Sequence, residues 1–508
     1  MSAGRATVTR PPAPDGAGLR RGFAFLVLAA LFVMGVAVDE GIGIRRSKGS
    51  WVLSPQAEPE PQAFVTRPGT LSSSWYCAEG TSVEGGRADE SVAIANAGEE
   101  PLDAVITVMR GEEAPVRKPF EVPSRSRLVV RIADLVPTEE PGVVVEVFGP
   151  DAAVEHILRG AGGDIDALPC ARRPATQWFF AGGSTRKDTR DFIALFNPFE
   201  DAATVDMTFF TEEGLVAPEN LQALEVPPRS RVTVPVHDYV LRKAVVAAEL
   251  ITRSGRIVAE RSLHFDGTTG RRGMAVYPGV NETAETWFFP EGIVQGRIFE
   301  TIWVFNPGRA DTAVEIQPEL DGDALQEPTM VSVPGRSAVA VRLNDADAEG
   351  FHPVPPDVGH SLRISAVGDE DVVVAQQIIA ADGAARPGSA VVSGSTAPAR
   401  TWLFVAGSAD DTVDEWITVM NPGSDAGGLG ETAHVSISVL AGGVVLVPEG
   451  LGHLEVPPRQ RAAFRLGDAL KRTDVPLIVE ADQDVIVVRG LFEATAVSYS
   501  PGIPFPLA

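Results

Sequence analysis

Seven histidines, two cysteines and a few acidic loops are the residues of this sequence best suited to chemistry. Nucleophilic hydrolysis needs a Ser or Cys beside a His that an acid orients. His156, His237, His264, His352, His360, His434 and His453 are scattered, and no Gly-x-Ser-x-Gly elbow accompanies them. They read as satisfied surface or strand-end side chains, and no catalytic residue is assigned. Asn344–Glu349 and Asp410–Glu415 carry the oxygen ligands calcium prefers, but neither has the Asp-x-Asp-x-Asp-Gly loop with its distal Glu. Both read as solvated loop charge, so no metal and no cofactor is expected. The neighbours Glu260 and Arg261 invite a paired-charge mechanism. On an alternating strand they point to opposite faces, which favours a structural ion pair or a charged guard on an edge strand.

The cysteines, Cys77 and Cys170, are either inert core thiols or one disulfide. The disulfide is the better reading once an export signal is present. That signal is Gly22–Val38, an uncharged apolar run just long enough to span a bilayer, preceded by Arg20-Arg21 and followed by Asp39-Glu40. Its length favours an uncleaved anchor over a cleaved signal peptide, whose apolar core is usually shorter. Net charge is −25, from 68 acidic against 43 basic residues, and basic pairs such as Arg172-Arg173 and Arg271-Arg272 are isolated. Such a surface repels phosphate backbones, so no nucleic-acid partner is expected.

These residues must be positioned by a repeat, which sliding the chain along itself exposes. Its first mark is an aromatic strand at Trp75, Trp178, Trp287 and Trp402, spaced 103, 109 and 115 residues apart. The second is an Asn closing an apolar strand: Asn96, Asn197, Asn306 and Asn421, the last three each 19 residues after their Trp. The third is a proline bend into a strand at Pro123, Pro227, Pro334 and Pro457. The fourth is a pair of apolar runs, such as Val246–Ile251 followed by Ile257–Arg261. Alternation as in Val205-Asp206-Met207-Thr208-Phe209, with Gly, Pro and Asn at the ends, predicts short strands joined by turns. Asn-Pro ends a strand because Pro lacks the ladder N–H and the Asn side chain can bond the turn backbone.

The fold class predicted is all-β: four tandem immunoglobulin-like β-sandwich modules after an N-terminal transmembrane helix. The boundaries are a cytoplasmic tail at 1–21, the membrane helix at 22–38 and a Pro-rich tether at 39–70. The modules follow at 71–173, 174–282, 283–398 and 399–508. The four Trp are expected in sandwich cores or module contacts. Set in line, the modules would reach about 100–150 Å at most.

The stretch Ser74-Trp75-Tyr76-Cys77-Ala78-Glu79-Gly80-Thr81 resembles the opening of an uncharacterised extracellular bacterial repeat, which runs TWYLAEGST, passes through NPN and VPANSR, and ends PVIAER. Arg256–Arg261 matches the ending best; Asn96-Ala97 and Val488-Arg489 depart from the pattern. The resemblance implies a surface-exposed β module in tandem, in a single-pass envelope protein, and no catalytic residues. The expected function is therefore a non-catalytic scaffold or interaction protein in the plasma membrane, with the bulk of the chain extracytoplasmic. Its partners would be the membrane, through the N-terminal helix, and a cell-wall glycan or another envelope protein. Binding of cell-wall glycan or polysaccharide is the alternative function, and an exposed row of the repeated Trp would favour it.

Overall fold

Alternating sequence becomes antiparallel strand almost throughout. In Ala203–Thr211 every second side chain from Ala203 is buried, and Leu102–Arg110 repeats the pattern. A computed structural model describes residues 63–505 apart from 68, 323–325, 347–351 and 425–429. The expected tail and membrane helix lie outside these residues, as does most of the tether. Among the described residues no helix is long and apolar enough to cross a membrane.

The first pair of sheets has the orders Ser73–Cys77, Gly142–Phe148, Leu102–Arg110, Glu113–Val122 and Ser126–Arg131, Ala88–Asn96, Ala152–Gly160, Ile165–Pro169. In the second sheet these four are the bend, Asn, return and inner strands. The second pair repeats them as Ser230–Pro235, Thr189–Asn197, Val258–Asp266 and Arg272–Pro278, and the third as Ser337–Arg342, Ile298–Asn306, Val373–Ala380 and Gly388–Ser393. The corresponding opening strands, which carry the Trp, are Gln177–Phe180 and Thr286–Ile293.

The last part of the chain differs. Leu477–Glu493 runs as one strand through what are separate strands elsewhere, and merges everything into a nine-stranded sheet. The cause is local: the link Ala481-Asp482-Gln483-Asp484 lacks the Gly or Pro found in Gly149-Pro150-Asp151 and Ser254-Gly255. Its opening, Asn, bend and inner strands are Ala399–Phe404, Asp414–Asn421, Gln460–Arg465 and Ala496–Pro501.

The repeated marks have mechanical roles. Trp75, Trp178, Trp287 and Trp402 are all buried, none more than 3% exposed. The indole N–H groups of Trp178, Trp287 and Trp402 donate to the carbonyls of Ile257, Val372 and Val485, each just ahead of or beginning the return run. The four Asn are buried clamps. Asn197 donates to the carbonyls of Asp201 and Val226 and accepts the Phe199 N–H, and Asn96, Asn306 and Asn421 repeat all three bonds. After Pro123, Pro227, Pro334 and Pro457 the bend closes on Arg125, Arg229, Arg336 and Arg459, all left-handed with φ of 46–57°.

The described residues form one compact body, so the in-line arrangement does not apply. Inner strand Ile165–Pro169 lies against Arg272–Pro278 and Ala496–Pro501, and Gly388–Ser393 packs against the same two. At their meeting point buried Asp166 accepts the Val276 N–H (2.6 Å) and the Ser498 hydroxyl (2.5 Å). The ends of the described chain also meet, where the Val65 N–H donates to the Pro504 carbonyl. The sheet pairs and the final sheet thus close into a ring with four seams.

Candidate functional site

The most densely charged chemistry lies inside this ring. Six residues before each repeat Asn stands an acid: Glu90, Asp191, Glu300 and Glu415, all at 0% exposure. On the neighbouring return run the residues paired with these acids are Leu158, Leu263, Ile378 and Leu491, and two residues before each, facing the acid diagonally on the same side of the sheet, stand His156, Arg261, Gln376 and Arg489. Arg261 grips Asp191 with two bonds of 2.9 and 2.5 Å and donates to the Val246 carbonyl. Gln376 donates to Glu300 at 2.6 Å, and the His360 Nε2 lies 3.0 Å from the same carboxylate. His156 Nδ1 is 3.4 Å from Glu90. A glycine five residues after each Trp makes room: a Cβ on Gly80, Gly183, Gly292 or Gly407 would lie 2.0–2.7 Å from Glu90, Arg261, His360 or Glu415.

One residue before two of these positions, a glutamate crosses a seam. Glu260 accepts the N–H groups of Ala78 (3.1 Å) and Glu79 (2.6 Å) in the first pair, and its carboxylate is 3.6 Å from His156 Nε2. Glu155 accepts the Ala406 N–H (2.7 Å) from the last sheet and pairs with Arg489 (3.0 Å). The bend strands add arginines: Arg231 to Glu79 and the Gly80 carbonyl, Arg127 to Asp474 and the Val405 carbonyl, Arg461 to Glu291 and Asp321. The seam between second and third pairs adds aromatic packing, with Trp303 over Gly182 and Phe305 against Phe210 at 4.7 Å, beside the ion pair of Arg336 with Glu249 at 2.7 Å.

Burial sets the electrostatics. It pushes the Glu260 carboxyl up to about 7, Glu415 to about 8 and Asp166 to about 6. It also raises Glu90 far above the carboxylate range, and Asp191 despite the pull of Arg261. Of these, Glu260 and Asp166 accept main-chain amides across seams, chemistry suited to holding neighbouring sheets in register.

Cys77 and Cys170 form a disulfide. Both sulfurs lie within 4.8 Å of a ligand nitrogen of His156, but the bond between them occupies the valence a metal would use. Elsewhere the same spot, two residues after the Trp and one after the inner strand, holds a Phe over a Gly: Phe180–Gly279, Phe289–Gly394 and Phe404–Gly502, where an added Cβ would lie 2.7–2.9 Å from the ring. Cys77→Ala with Cys170→Ala is expected to destabilise by about 4 kcal/mol. Cys77→Phe with Cys170→Gly, the solution used at the other three places, should recover most of that in urea unfolding of the oxidised protein. Equal losses for both double variants would reject the equivalence.

Several expectations change. His156 is buried at a seam beside Glu260, and His360 is buried inside the third pair against Glu300, rather than at the surface or at strand ends. Glu260 and Arg261 do point opposite ways, but their strand is flanked on both sides, so neither guards an edge. Of the Asp410–Glu415 loop, Glu415 is buried, Asp410 accepts three bonds from Thr412 and Val413, and Asp414 pairs with Arg386 and Arg465. In the other acidic loop, Asn344 bonds Glu300 N–H and the Ile298 carbonyl, and residues 347–349 lie outside the described residues.

Residues 158–352 match a family described as a family of unknown function (DUF5719). No curated protein matches the chain. Among solved structures the chain is similar to Thermotoga maritima 1070, at 17% identity and a TM-score of 0.20, covering 22% of this chain and 95% of that one. It is similar to the Anabaena sensory rhodopsin transducer at 25% identity and a TM-score of 0.16, covering 18% and 92%. A Streptomyces avermitilis alpha-L-rhamnosidase aligns over 86% of this chain and 57% of its own, at 11% identity and a TM-score of 0.12. At these scores none of the three carries an argument.

Proposed function

We propose that this chain is a non-catalytic scaffold or interaction protein of the bacterial envelope, built from four immunoglobulin-like sandwich modules of the uncharacterised extracellular repeat type. In this reading residues 22–38 anchor it as a single membrane span, and the ring stands outside the plasma membrane as a rigid platform for another envelope protein. One observation carries the reading: the acid and base side chains that recur with the repeat are turned inward, as where Glu260 caps the amides of Ala78 and Glu79 across a seam. The buried disulfide fits an oxidising compartment. The glycan alternative relied on an exposed Trp row for sugar stacking, and Trp75, Trp178, Trp287 and Trp402 supply no such face.

The test is topological. Alkaline phosphatase joined after residue 508 is expected to be active in intact bacteria, and deletion of 22–38 is expected to abolish both membrane fractionation and that activity. A β-galactosidase fusion at the same point that is active while the phosphatase is silent would place the body in the cytoplasm and end the reading.

A further inference from the structure

The last sheet carries the longest exposed apolar run of the described chain. Val444, Val445, Leu446 and Val447 stand in a row and are 42–54% exposed, whereas no two of the other ten exposed large hydrophobic residues among the described residues are neighbours in sequence. Val445–Leu446 is the outermost strand of its sheet, paired on one side with Val439 and Leu440. Successive side chains of a strand point to opposite faces, so four exposed neighbours leave both faces of this limb open. No charged residue lies between Val435 and Pro448.

The fold does not need these side chains. The turn before them, at Gly442 and Gly443 with φ of 67° and 84°, donates its N–H groups to the Arg125 and Ser124 carbonyls of the first pair at 3.0 and 2.9 Å. At the same place in the first pair the Gly111 N–H donates to the Arg229 carbonyl at 3.0 Å, and the limb that follows reads Glu112-Glu113-Ala114. Glycine main chain therefore makes the seam contact, and a charged limb serves it as well as an apolar one. The aliphatic limb adds only water-facing hydrocarbon at a fixed place, a surface that gains stability when something covers it.

We propose that Val444–Val447 is a membrane contact, seated at the headgroup boundary of the bilayer that holds the chain; this rests on the reading of residues 22–38 as a membrane span. Val445–Leu446 begins a row of five strands that Ile503–Pro504 ends, and Pro504 accepts the Val65 N–H, two residues from where the described chain starts. At about 4.8 Å per strand the limb lies about 20 Å across the sheet from that entry. The 24 residues from 39 to 62 span at most about 80 Å. The anchor thus keeps this sheet close to lipid and makes the second contact intramolecular, so four half-exposed aliphatic side chains suffice. A second copy of the chain fits less well. Edge pairing needs a longer flat edge than one bounded by Gly443 and Pro448, and chains of net charge −25 repel one another. The outward backbone groups of the limb still require water, which sets the depth at the headgroups rather than in the hydrocarbon centre.

The experiment places the full chain, disulfide intact, in phosphatidylcholine vesicles with and without bromine on the acyl chains, a quencher of tryptophan. The fluorescence that Leu446→Trp adds to that of the wild-type chain is expected to fall about twofold in the brominated lipid, and more with bromine near the headgroup than at the chain end. The fluorescence added by Leu215→Trp, on the matching limb of the second pair, should be the same in both lipids. Val445→Ser with Val447→Ser should remove the quenching of Leu446→Trp and leave the melting temperature unchanged. Flotation with the vesicles reads the anchor separately. A chain that floats while Leu446→Trp gives equal fluorescence in both lipids overturns the membrane contact and leaves the anchor standing. Shielding of Leu446→Trp that grows with protein concentration in detergent assigns the limb to a second copy and overturns it as well. A chain that does not float overturns both readings.

Discussion

Arg261→Met is expected to lower the stability of the folded chain by about 3–5 kcal/mol, the usual penalty for leaving half of a buried ion pair unmatched. Arg261 is wholly buried and makes the bidentate pair with Asp191 as well as the bond to Val246, while its guanidinium lies 5.9 Å from the Phe180 ring centroid. Methionine fills similar volume, so little of the loss would come from a cavity. What remains is a carboxylate shut away from water, which must take up a proton or lie uncompensated. The ring supplies its own comparison, because in the third pair Glu300 is held by the Gln376 amide, with His360 beside it, in place of a guanidinium. Asp191→Glu with Arg261→Gln copies that couple and should cost markedly less than Arg261→Met alone. Urea unfolding followed by tryptophan fluorescence, to which buried Trp178 contributes, reads the loss. A shift under about 1 kcal/mol for Arg261→Met, the range of an exposed pair, would mean that water reaches the couple.

How much of this was legible depends on what signal each feature leaves in the sequence. Strand type and the three punctuation marks were readable, since Trp75, Asn96, Pro123 and their counterparts do local work that fixes their spacing. The acid six residues before each Asn and the Gly five after each Trp are equally regular. They escaped because a search tuned to apolar strands reads Glu90 or Asp191 as an outward position. A buried carboxylate breaks alternation only when its partner is known, and that partner lies about 60–80 residues away, as Arg261 does from Asp191. The facing residue also varies among His156, Arg261, Gln376 and Arg489, so identity alone conceals the equivalence. Closure into a ring left no periodic trace. Arg127 reaching Val405 and Glu155 reaching Ala406 join the first sheet pair to the last sheet, and each reads as ordinary strand polarity until the fold brings them together.

Raising the pH from 5 to 8 is expected to destabilise the ring. Burial holds Asp166 at about 6, Glu260 and Glu319 at about 7 and Glu415 at about 8, while carboxyls of an unfolded chain titrate near about 4. Between those limits the folded state keeps protons the unfolded state has shed, so stability falls as pH rises. The contribution is complete below about pH 4 and gone above about pH 8. Carboxyls depressed by ion pairing, such as Asp188 and Asp414, change their contribution only on the acid side of that window; His264, which burial lowers to about 4, opposes the trend below about pH 6.5, where the four raised carboxyls outweigh one imidazole. Glu415 isolates the effect, because burial outweighs the attraction of Arg489 and Arg127. Glu415→Gln keeps the shape and removes the ionisation, and should stabilise the chain on the order of 2–4 kcal/mol at pH 8 while changing little at pH 4. Thermal melts of both proteins across this range decide the matter. If the wild-type chain gains stability toward pH 8, or the glutamine variant melts below it there, then Glu415 is ionised in the folded state and the seam between the last sheet and the first pair is a true salt-bridge network with Arg489 and Arg127.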